Sequence, residues 1–517
     1  MGIPSYFRRI LQAYPGCLVK QAPAKASVLA FDFNCLIYRC IRAPGMAPYP
    51  GVDDFHASEE WESSLLKEVC TAVKEIWTEA GRPSRVFLAI DGVVPMAKIR
   101  QQRVRRFKSA WIRHQYGGHA SWDSNAITPG TEFMEKLGRE LKKLVAGQGK
   151  GWILSDASEP GEGEHKIMRW LRSPTTKLPS GDILVYGLDA DLILLSMLVS
   201  AQTGRSLWLM REKQEFGLSK KAVKADPSAK FEYQYLCVDE FITRIGVNGF
   251  DEILNYIGIM SFMGNDFLPH SLTHKLNDDG HECVMRVFQT CKREKQWLIQ
   301  DSSVQVAVLL NIVKQWALEE EDRMLHMIQE KQKVASRGVG KGMEEYEALP
   351  HEWAVENELL QGKGLRKDWR SQYWSFVHPA VGEDEKRVYC EEYIRGFQWI
   401  LDYYLGFRED VSLQWMFGAW LPPLWSDFAC LKTVDLKIVL EEGKPIAPQE
   451  QLAMVLPFES WGLIRDPTLR RLPVVAPQMW PVKFSFLSLG RRYFWECEAR
   501  IPVLTAARLR KILADHE

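Results

Sequence analysis

Aspartate side chains follow three short apolar segments of this 517-residue chain. Asp32 follows residues 28–31, and Asp91 follows residues 85–90. Asp189 and Asp191 follow residues 182–188. Such segments are typical of buried parallel strands, and ligands bind beyond the carboxyl ends of those strands. One aspartate at a strand end is as often a turn or cap residue as a ligand. Three such ends together favour one shared crevice.

Three further carboxylates extend this acidic set. Glu162 and Glu164 lie in Glu159-Pro-Gly-Glu-Gly-Glu-His165, where two glycines allow a tight turn at a helix start, and Asp266 follows an apolar helix. Clustered carboxylates repel one another unless cations lie between them, and an all-oxygen set without cysteine selects hard ions such as Mg²⁺. We expect two-metal phosphodiester hydrolysis, in which one ion activates the attacking water and the other stabilises the leaving oxygen.

Two histidines, His165 and His270, adjoin the acids and could act as ligands or proton donors. Mg²⁺ rarely binds imidazole. We therefore favour a structural role for both rings, as hydrogen-bonded histidines beside the site or in the core.

A basic segment follows Asp91. Six basic residues and no acidic one occur from Lys98 to Lys108, inside a predicted helix over 97–113. The spacing i, i+4, i+7 and i+8 places four side chains on one face of this helix: Lys98, Gln102, Arg105 and Arg106. A basic run is usually a solvated face, but next to a metal-site aspartate it is suited to gripping phosphate.

Helical patterns separate the predicted strands, over residues 59–80, 97–113, 132–146, 164–171 and 303–327. This alternation predicts an α/β fold, in which a mainly parallel sheet is flanked by helices. We expect the α/β domain to fill residues 1–330, followed by an exposed linker over 331–364 that is rich in Lys, Glu and Gly. Residues 365–517 are predicted to form a second, aromatic-rich and largely helical unit packed on the first, because 10 of the 19 tryptophans lie between Trp353 and Trp495.

Composition limits the class of protein. Lys+Arg and Asp+Glu both number 66, so any nucleic-acid site depends on local clusters rather than on net charge. The 10 cysteines form no CxxC motif, which favours a reducing intracellular compartment over a zinc site or a disulfide framework. The longest apolar stretches are about half as long as a membrane-spanning helix needs to be. We therefore expect a soluble protein.

These motifs together resemble the Xrn family of 5′→3′ exoribonucleases. The matching strings are Met1-Gly-Ile-Pro-Ser-Tyr-Phe-Arg8, Asp32-Phe-Asn34, Asp91-Gly-Val-Val-Pro-Met-Ala-Lys98, Gln101-Gln-Arg-Val-Arg-Arg106, Ile127-Thr-Pro-Gly-Thr131, Pro160-Gly-Glu-Gly-Glu-His-Lys166, Tyr186-Gly-Leu-Asp-Ala-Asp191 and Gly264-Asn-Asp-Phe-Leu-Pro-His270. The similarity continues more loosely in Tyr393-Ile-Arg-Gly-Phe-Gln-Trp-Ile-Leu401 and Gln451-Leu-Ala-Met-Val-Leu-Pro457. It therefore covers nearly the whole chain.

The resemblance implies a PIN/flap-nuclease-like catalytic domain and processive 5′→3′ degradation of single-stranded RNA to nucleoside 5′-monophosphates. It implies that two Mg²⁺ ions, for which Mn²⁺ can substitute, are bound by the seven acids Asp32, Asp91, Glu162, Glu164, Asp189, Asp191 and Asp266. It also implies that the 5′-monophosphate of the RNA is held by Lys98, Gln102, Arg105 and Arg106. The resemblance further implies that a capped or triphosphorylated end does not fit such a pocket, so we expect a decapping or pyrophosphohydrolase activity to act upstream.

Two departures from the family pattern concern base stacking. The family usually has a stacking histidine where this chain has Tyr38, whose ring still offers an aromatic face. A stacking tryptophan of the family aligns with Trp415, although the residues around it differ. The alternative for both side chains is a place in the hydrophobic core. The chain also stops at Glu517 without the long carboxy-terminal extensions of large family members, so we expect a compact form.

Two other functions compete with this interpretation. A flap-endonuclease-like DNA nuclease also collects acids around two metals, but its Gly-Val-Gly-x-Lys turn closely follows the last metal aspartate, whereas Gly338-Val-Gly-Lys-Gly342 lies far beyond Asp266. A catalytically silent RNA-binding scaffold would tolerate loss of an acid, and none is lost. We expect a monomer that acts on RNA and not on membranes, in the cytoplasm or alternatively the nucleus.

Overall fold

The computed structural model describes residues 6–43, 45–117, 121–187, 189–213, 231–338, 340, 343–377, 382–406, 411–438 and 444–516. Its strands are β1 Leu18–Val19, β2 Ala26–Asp32, β3 Arg85–Ala89, β4 Trp152–Ser155, β5 Asp182–Tyr186, β6 Leu207–Glu212, β7 Tyr233–Cys237, β8 Ile299–Gln300, β9 Ser303–Val304, β10 Leu360–Gln361, β11 Gly364–Leu365, β12 Ser485–Leu487 and β13 Glu498–Arg500. Its helices are α1 Tyr6–Ala13, α2 Asn34–Ile41, α3 Phe55–Glu79, α4 Met96–Tyr116, α5 Glu132–Gln148, α6 Gly163–Arg172, α7 Asp191–Thr203, α8 Val238–Arg244, α9 Gly249–Met260, α10 Gly280–Glu294, α11 Val306–Ala317, α12 Glu320–Arg337, α13 Leu349–Glu352, α14 Trp369–Val377, α15 Glu383–Leu405, α16 Pro448–Val455, α17 Pro467–Arg470, α18 Leu472–Val475 and α19 Ala506–Ala514. Within these ranges, none of the helices combines the length and the apolar character that crossing a membrane requires.

A seven-stranded, mainly parallel sheet lies at the centre of the fold. Its strand order is β1-β7-β6-β5-β2-β3-β4, in which β2 to β6 run parallel and β7 pairs antiparallel with both β6 and β1. Successive side chains of a strand point to opposite faces. Leu29 and Phe31 of β2 therefore enter a core with α2, α3 and α5, whereas Val28 and Ala30 enter a core with α6, α7 and α9. The predicted α/β fold, with helices on both faces of the sheet, is confirmed.

Most of the predicted elements are confirmed to within a few residues, including the three acid-bearing strands β2, β3 and β5. The single helix predicted over 303–327 is wrong. Residues Ser303–Val304 form β9, and two helices, α11 and α12, follow with a break at residues 318–319. At the start of α12 the buried Glu320 carboxylate accepts hydrogen bonds from the backbone N–H groups of Trp425 (2.5 Å) and Ser426 (3.2 Å), and this tertiary contact fixes the break.

The start of the predicted linker over 331–364 is helical, and Lys331 there is buried, while most of residues 332–337 are exposed. Helix α12 continues to Arg337, and its buried Lys331 ammonium forms an ion pair with buried Glu356 (2.7 Å). Lys331 also donates a hydrogen bond to the Ser488 carbonyl (3.0 Å). Residues 331–337 are thus helical, while the linker and the division of the chain into two units stay predictions. Residues 339, 341 and 342 of the glycine-rich stretch lie outside the described residues.

The part of the chain beyond residue 365 packs on the sheet domain at several places, two of which lie near the acid-bearing strand ends. Helix α15 joins the core that covers α7, through residues such as Trp399 and Tyr404. Helix α16 and β13 pack against α4, where Leu452 and Ala499 share a core with Phe107. These contacts bring the carboxyl end of α15 beside the starts of α6 and α7.

Candidate active site

The seven predicted acids stand where strands end and helices begin. Asp32 is the last residue of β2, Asp91 follows β3, Asp189 follows β5, Glu162 and Glu164 flank the first residue of α6, Asp191 is the first residue of α7, and Asp266 lies in the loop after α9. Because β2, β3 and β5 are parallel neighbours, their carboxyl ends lie at one edge of the sheet. The structure therefore brings acids from distant parts of the chain to one edge.

Gly163 allows the close approach of these acids. Its backbone N–H donates a hydrogen bond to Asp91 Oδ1 (2.6 Å). A Cβ atom at this position would lie 2.9 Å from Asp32 Oδ1 and 2.7 Å from the Ala89 carbonyl oxygen. Since real Cβ atoms do not approach so closely, a side chain here would push α6 away from the strand ends. The Gly-Glu-Gly-Glu sequence thus permits convergence as well as a turn.

Lys98 of α4 lies among the carboxylates. Its ammonium forms ion pairs with Glu162 and with Asp266, the latter at 2.7 Å. Burial lowers the pKa of Lys98, but the charges of Asp266 and Glu162 outweigh burial and raise this pKa well above its usual value. Burial likewise opposes ionisation of Asp266, and Lys98 holds the pKa of Asp266 below its usual value. Lys98 is therefore a fixed cation that links the acids of α6 to the loop after α9.

Three further side chains of the site were missed by sequence reasoning. Tyr403 donates a hydrogen bond to Glu162 Oε1 (2.7 Å), and Tyr404 donates one to Asp191 Oδ2 (3.2 Å). Asn34 donates one to Asp91 Oδ2 (2.8 Å). The only available signals were the position of Asn34 two residues after Asp32 and the paired tyrosines that end α15. The second unit thus supplies hydroxyl donors to acids of the first.

The carboxylates keep buried oxygens that are not satisfied within the described part of the chain. Glu164 Oε2 and Asp191 Oδ1 are buried without a hydrogen-bond partner there. Burial, together with the charge of Glu162, raises the pKa of Glu164, and burial with the charge of Asp266 raises the pKa of Asp191 to about 7. Burial and the charges of Asp91 and Asp189 raise the pKa of Asp32. Unpaired, mutually repelling oxygens are the donor set that a hard divalent cation satisfies.

The two histidines occupy different surroundings. The His165 ring packs at a tilt beside Tyr403 with ring centroids 4.1 Å apart, and burial lowers the pKa of His165 well below its usual value. One of its ring nitrogens and one oxygen each of Glu162 and Glu164 lie within 4.8 Å of one another. His270 contacts the Arg491 guanidinium and the Ser271 carbonyl, and burial lowers its pKa as well. Both rings are therefore neutral, and His270 is held by hydrogen bonds outside the acid cluster.

The four residues of α4 that are predicted to bind phosphate have different surroundings. Lys98 reaches the acids, as described, and Gln102 is buried with its side-chain oxygen lacking a partner among the residues described. Arg106 donates a hydrogen bond to Thr128 Oγ1 (2.5 Å), and burial lowers its pKa to about 10. Arg105 lines a cavity on the neighbouring face of the helix. Their phosphate-binding role stays a prediction.

The other basic residues of α4 hold the second unit. Arg100 donates to the Ala419 carbonyl (2.9 Å), Arg103 to the Met454 and Met479 carbonyls, and Lys108 to the Cys497 carbonyl (2.7 Å). Burial lowers the pKa of Arg103 to about 9. Half of the basic run therefore has a structural role, bridging α4 to backbone carbonyls far along the chain.

The two aromatic side chains predicted to stack on bases differ in exposure. Tyr38 is partly buried beside the core of α2 and α3, close enough to Arg106 for its hydroxyl to influence the guanidinium. Trp415 is 8% exposed, and its indole stacks on Trp399 with centroids 5.1 Å apart. One face of Trp415 is thus already covered within the protein. Both stacking roles stay predictions.

Comparisons with known proteins agree with this arrangement. Residues 1–213 match the family model described as "XRN 5'-3' exonuclease N-terminus", and residues 360–517 match the model described as "Xrn1 helical domain". The 5'-3' exoribonuclease 1 of Homo sapiens is 28% identical, in an alignment that covers 98% of this chain and 34% of the human protein. The Schizosaccharomyces pombe 5'-3' exoribonuclease 1 is 24% identical, covering 100% of this chain and 49% of the relative.

The Arabidopsis thaliana 5'-3' exoribonuclease 2 is also 24% identical, with 100% of this chain and 67% of the plant protein covered. The chain thus spans between about a third and two thirds of the length of these curated relatives. The two family models match opposite ends of the chain. The alignment to the Schizosaccharomyces pombe 5'-3' exoribonuclease 1 covers the whole of this chain and so includes both matched regions. The resemblance inferred from the motifs is confirmed: this chain belongs to the Xrn family of 5'-3' exonucleases.

Proposed function

We propose that this protein is a processive 5′→3′ exoribonuclease that degrades single-stranded RNA carrying a 5′-monophosphate, using two Mg²⁺ ions for which Mn²⁺ can substitute. The observation that carries this proposal is the meeting of seven carboxylates at one sheet edge beside the basic helix α4. Relatives of this family are named 5'-3' exoribonucleases, which supports the RNA substrate and the direction of degradation.

The acids would hold two Mg²⁺ ions through oxygens that lack partners or repel one another, and such ions, when bound, would supply an activated water and stabilisation of the leaving oxygen. Tyr403, Tyr404 and Asn34 orient three of the carboxylates by hydrogen bonds. The ammonium of Lys98 neutralises part of the acidic charge and fixes the distance between Glu162 and Asp266. Preorganised charges of this kind act without reorganising during the reaction.

The products of hydrolysis explain why the enzyme would recognise an RNA end that carries a 5′-monophosphate. Water adds to the phosphorus between the first two nucleotides, and the bond from phosphorus to the 3′-oxygen of the first nucleotide breaks. The first nucleotide leaves as a nucleoside 5′-monophosphate with a 3′-hydroxyl, and the shortened RNA acquires a new 5′-monophosphate. Each turnover therefore regenerates the group that Gln102, Arg105, Arg106 and Lys98 bind, and Tyr38 and Trp415 stack on the terminal bases.

The remaining parts of the proposal concern fold and context. The sheet domain is proposed to be PIN/flap-nuclease-like, and the aromatic-rich second unit to be largely helical and to complete the substrate channel. Residues 1–330 and 365–517 are proposed as the two units. The protein works as a monomer in the cytoplasm, on ends prepared by a decapping or pyrophosphohydrolase activity.

The proposal is tested with one RNA labelled separately at each end and prepared with a 5′-hydroxyl, monophosphate, triphosphate or cap. Expected is release of labelled mononucleotide from the monophosphate form in Mg²⁺ and none in excess chelator. Glu164→Gln and Asp191→Asn abolish it, while Glu140→Gln on the outer surface of α5 does not. Internal fragments would refute the exonuclease assignment, and full activity in chelator would refute the metal assignment.

The phosphate pocket has its own test. A charge-assisted hydrogen bond contributes about 1.5 to 3 kcal/mol, or roughly 10- to 150-fold in binding. Arg106→Ala should raise KM by such a factor for monophosphorylated RNA and far less for hydroxyl-ended RNA. Arg113→Ala, on the same helix and more exposed, is the matched control. Equal losses on both RNAs would mean that Arg106 binds the backbone generally or supports the fold through Thr128.

A further inference from the structure

A cavity of about 300 Å³ lies beside the acid cluster, on the face of α4 next to the one that carries Lys98. Its walls are α4 between Ala97 and Lys108, the loop of residues 265–270, residues 416–420 and the segment 491–498. Of the seven acids, Asp266 alone is among the described residues that line it. Gln101, which also lines it, donates a hydrogen bond to Asp266 Oδ1 (3.4 Å). Asp266 therefore separates the acid cluster from the cavity.

Two arginines line this cavity, and one of them, Arg491, has no carboxylate partner among the residues that the structure describes. Arg491 is 3% exposed, its guanidinium contacts the neutral His270 ring, and its Nε has no hydrogen-bond partner there. Arg105 is partly buried and its side chain makes no hydrogen bond or ion pair within the described ranges, although its charge helps to lower the pKa of Asp266. A buried cation without a counter-charge is costly, so Arg491 indicates a place for an anion.

The acidic residues of the wall are engaged elsewhere. The Glu496 carboxylate accepts hydrogen bonds from the backbone N–H groups of Arg492 (2.7 Å) and Tyr493 (3.1 Å). The charge of Glu498 acts on Arg100 and Lys108, where it opposes the lowering of both pKa values by burial. The third acid of the wall, Asp266, shares its charge with Lys98 and Arg105. Arg491 is therefore the cation that these acids leave unpaired, and Arg105 lies beside it in the lining.

The rest of the lining is apolar and aromatic. Trp420 and Phe417 form one wall, and Trp495, which is 45% exposed, stands at the rim. Aromatic side chains stack on nucleobases of any identity. The cavity lies at the small end of the size range of ligand sites, which is about 300 to 1,000 Å³. A single nucleotide suits this volume, and an oligonucleotide does not.

We propose that this cavity binds a nucleoside 5′-monophosphate, with its phosphate at Arg491 and Arg105 and its base against Trp495 and Trp420. The inference rests on the proposed function in one respect: this ligand is the product class of the proposed reaction. Because Arg105 stands between the substrate face of α4 and the cavity, the product moves across Asp266 into the cavity after cleavage and leaves from there.

Calorimetric titration of the whole protein with AMP, adenosine and inorganic phosphate tests this, in chelator so that metal-dependent binding is absent. AMP should bind at least tenfold more tightly than either fragment. Arg491→Gln should weaken AMP binding at least tenfold and leave adenosine binding unchanged, whereas Trp495→Ala should weaken both. Arg492→Gln is the matched control, because Arg492 forms an ion pair with Asp278 and does not line the cavity. Melting curves accompany every variant.

Several results would overturn the proposal. Equal affinity for AMP and phosphate would mean an anion site only, and AMP binding that survives both Arg491→Gln and Trp495→Ala would place the nucleotide elsewhere. If Arg491→Gln does not fold, Trp495→Ala decides alone, since its side chain is half exposed. With RNA varied, added AMP should lower kcat without changing KM if product leaves through the cavity, and an unchanged kcat would refute that route. AMP binding is measured without hydrolysis, so failure of the nuclease proposal is distinguishable from failure of this one.

Discussion

Removal of one hydroxyl, by Tyr403→Phe, tests whether the second unit helps to build the acid cluster. The Tyr403 hydroxyl donates a 2.7 Å hydrogen bond to Glu162 Oε1, while Lys98 occupies the other oxygen. The phenyl ring of the variant keeps the packing against His165 and Trp399. The change therefore removes a donor to a carboxylate and little else.

The expected size of the effect follows from this geometry. A hydrogen bond to an ionised group contributes about 1.5 to 3 kcal/mol, which corresponds to roughly 10- to 150-fold in an equilibrium constant. Burial raises the pKa of Glu162, and the Tyr403 hydroxyl is one of the groups that lower it. Without the hydroxyl the pKa of Glu162 rises, and at fixed pH a divalent cation competes with a more tightly held proton. The Mg²⁺ concentration needed for half-maximal binding should rise by the factor given.

The first assay is a Mg²⁺ titration in which binding is detected as a rise in melting temperature, repeated at several values from pH 5 to pH 8. The second assay measures the acidic limb of the pH–rate profile. Tyr403→Phe should shift both the Mg²⁺ midpoint and the acidic limb upward. Tyr389→Phe is the matched control, since Tyr389 lies on the same helix and packs beside Trp374, away from the acids. An unchanged midpoint and an unchanged acidic limb in a variant of normal stability would refute the reasoning.

Three other predictions concern backbone space, pH and buried charge. Gly163→Ala should cost about 1 to 3 kcal/mol of stability in urea unfolding and abolish Mg²⁺ binding, because the added Cβ would overlap strand-end oxygens. The control Gly147→Ala has open space around its Cβ and should be neutral or stabilising. In chelator, the free energy of unfolding should fall as pH rises between 3.8 and about 7, because the raised pKa of Asp191 means that the folded protein holds this proton longer than the unfolded chain. Asp191→Asn should flatten that fall, and an identical pH slope would contradict the assignment. Glu356→Gln should lower the free energy of unfolding by about 3 to 5 kcal/mol, because it leaves the buried Lys331 ammonium without its ion pair. The double variant with Lys331→Met should recover most of this stability. A loss below about 1 kcal/mol in Glu356→Gln alone would contradict the prediction.

The strand-end acids could be predicted because their signal is local. An apolar run of strand length followed by aspartate places that aspartate at the edge where parallel strands end, and Asp32, Asp91 and Asp189 follow this rule. The donors to the acids could not be predicted, because they depend on tertiary contacts. Tyr403 and Glu162 are 241 residues apart in the chain, and no periodicity connects them.

The contacts of the basic helix α4 also could not be predicted from the sequence. Its spacing correctly predicts a helix, but Lys98 binds acids of the cluster, Arg106 binds Thr128, and Arg100, Arg103 and Lys108 bind residues beyond 365. Only the positions of the partners decide these differences. Lys98 finds two carboxylates, whereas Arg103 finds the backbone carbonyls of Met454 and Met479. The break between α11 and α12 was missed for a related reason. Helix-forming residues continue across it, and the contact of Glu320 with residues 425–426 determines it.

The long sequence separation between the acids and their hydroxyl donors affects how the protein is made. Asp191 and Tyr404 are 213 residues apart, so their contact belongs to the class that closes slowly in folding. Synthesis proceeds from the amino terminus, and the sheet with its carboxylates emerges well before α15. A growing chain that has not yet released α15 therefore carries the acids without the tyrosines that orient two of them. The finished arrangement of the carboxylates arises only after most of the polypeptide has left the ribosome.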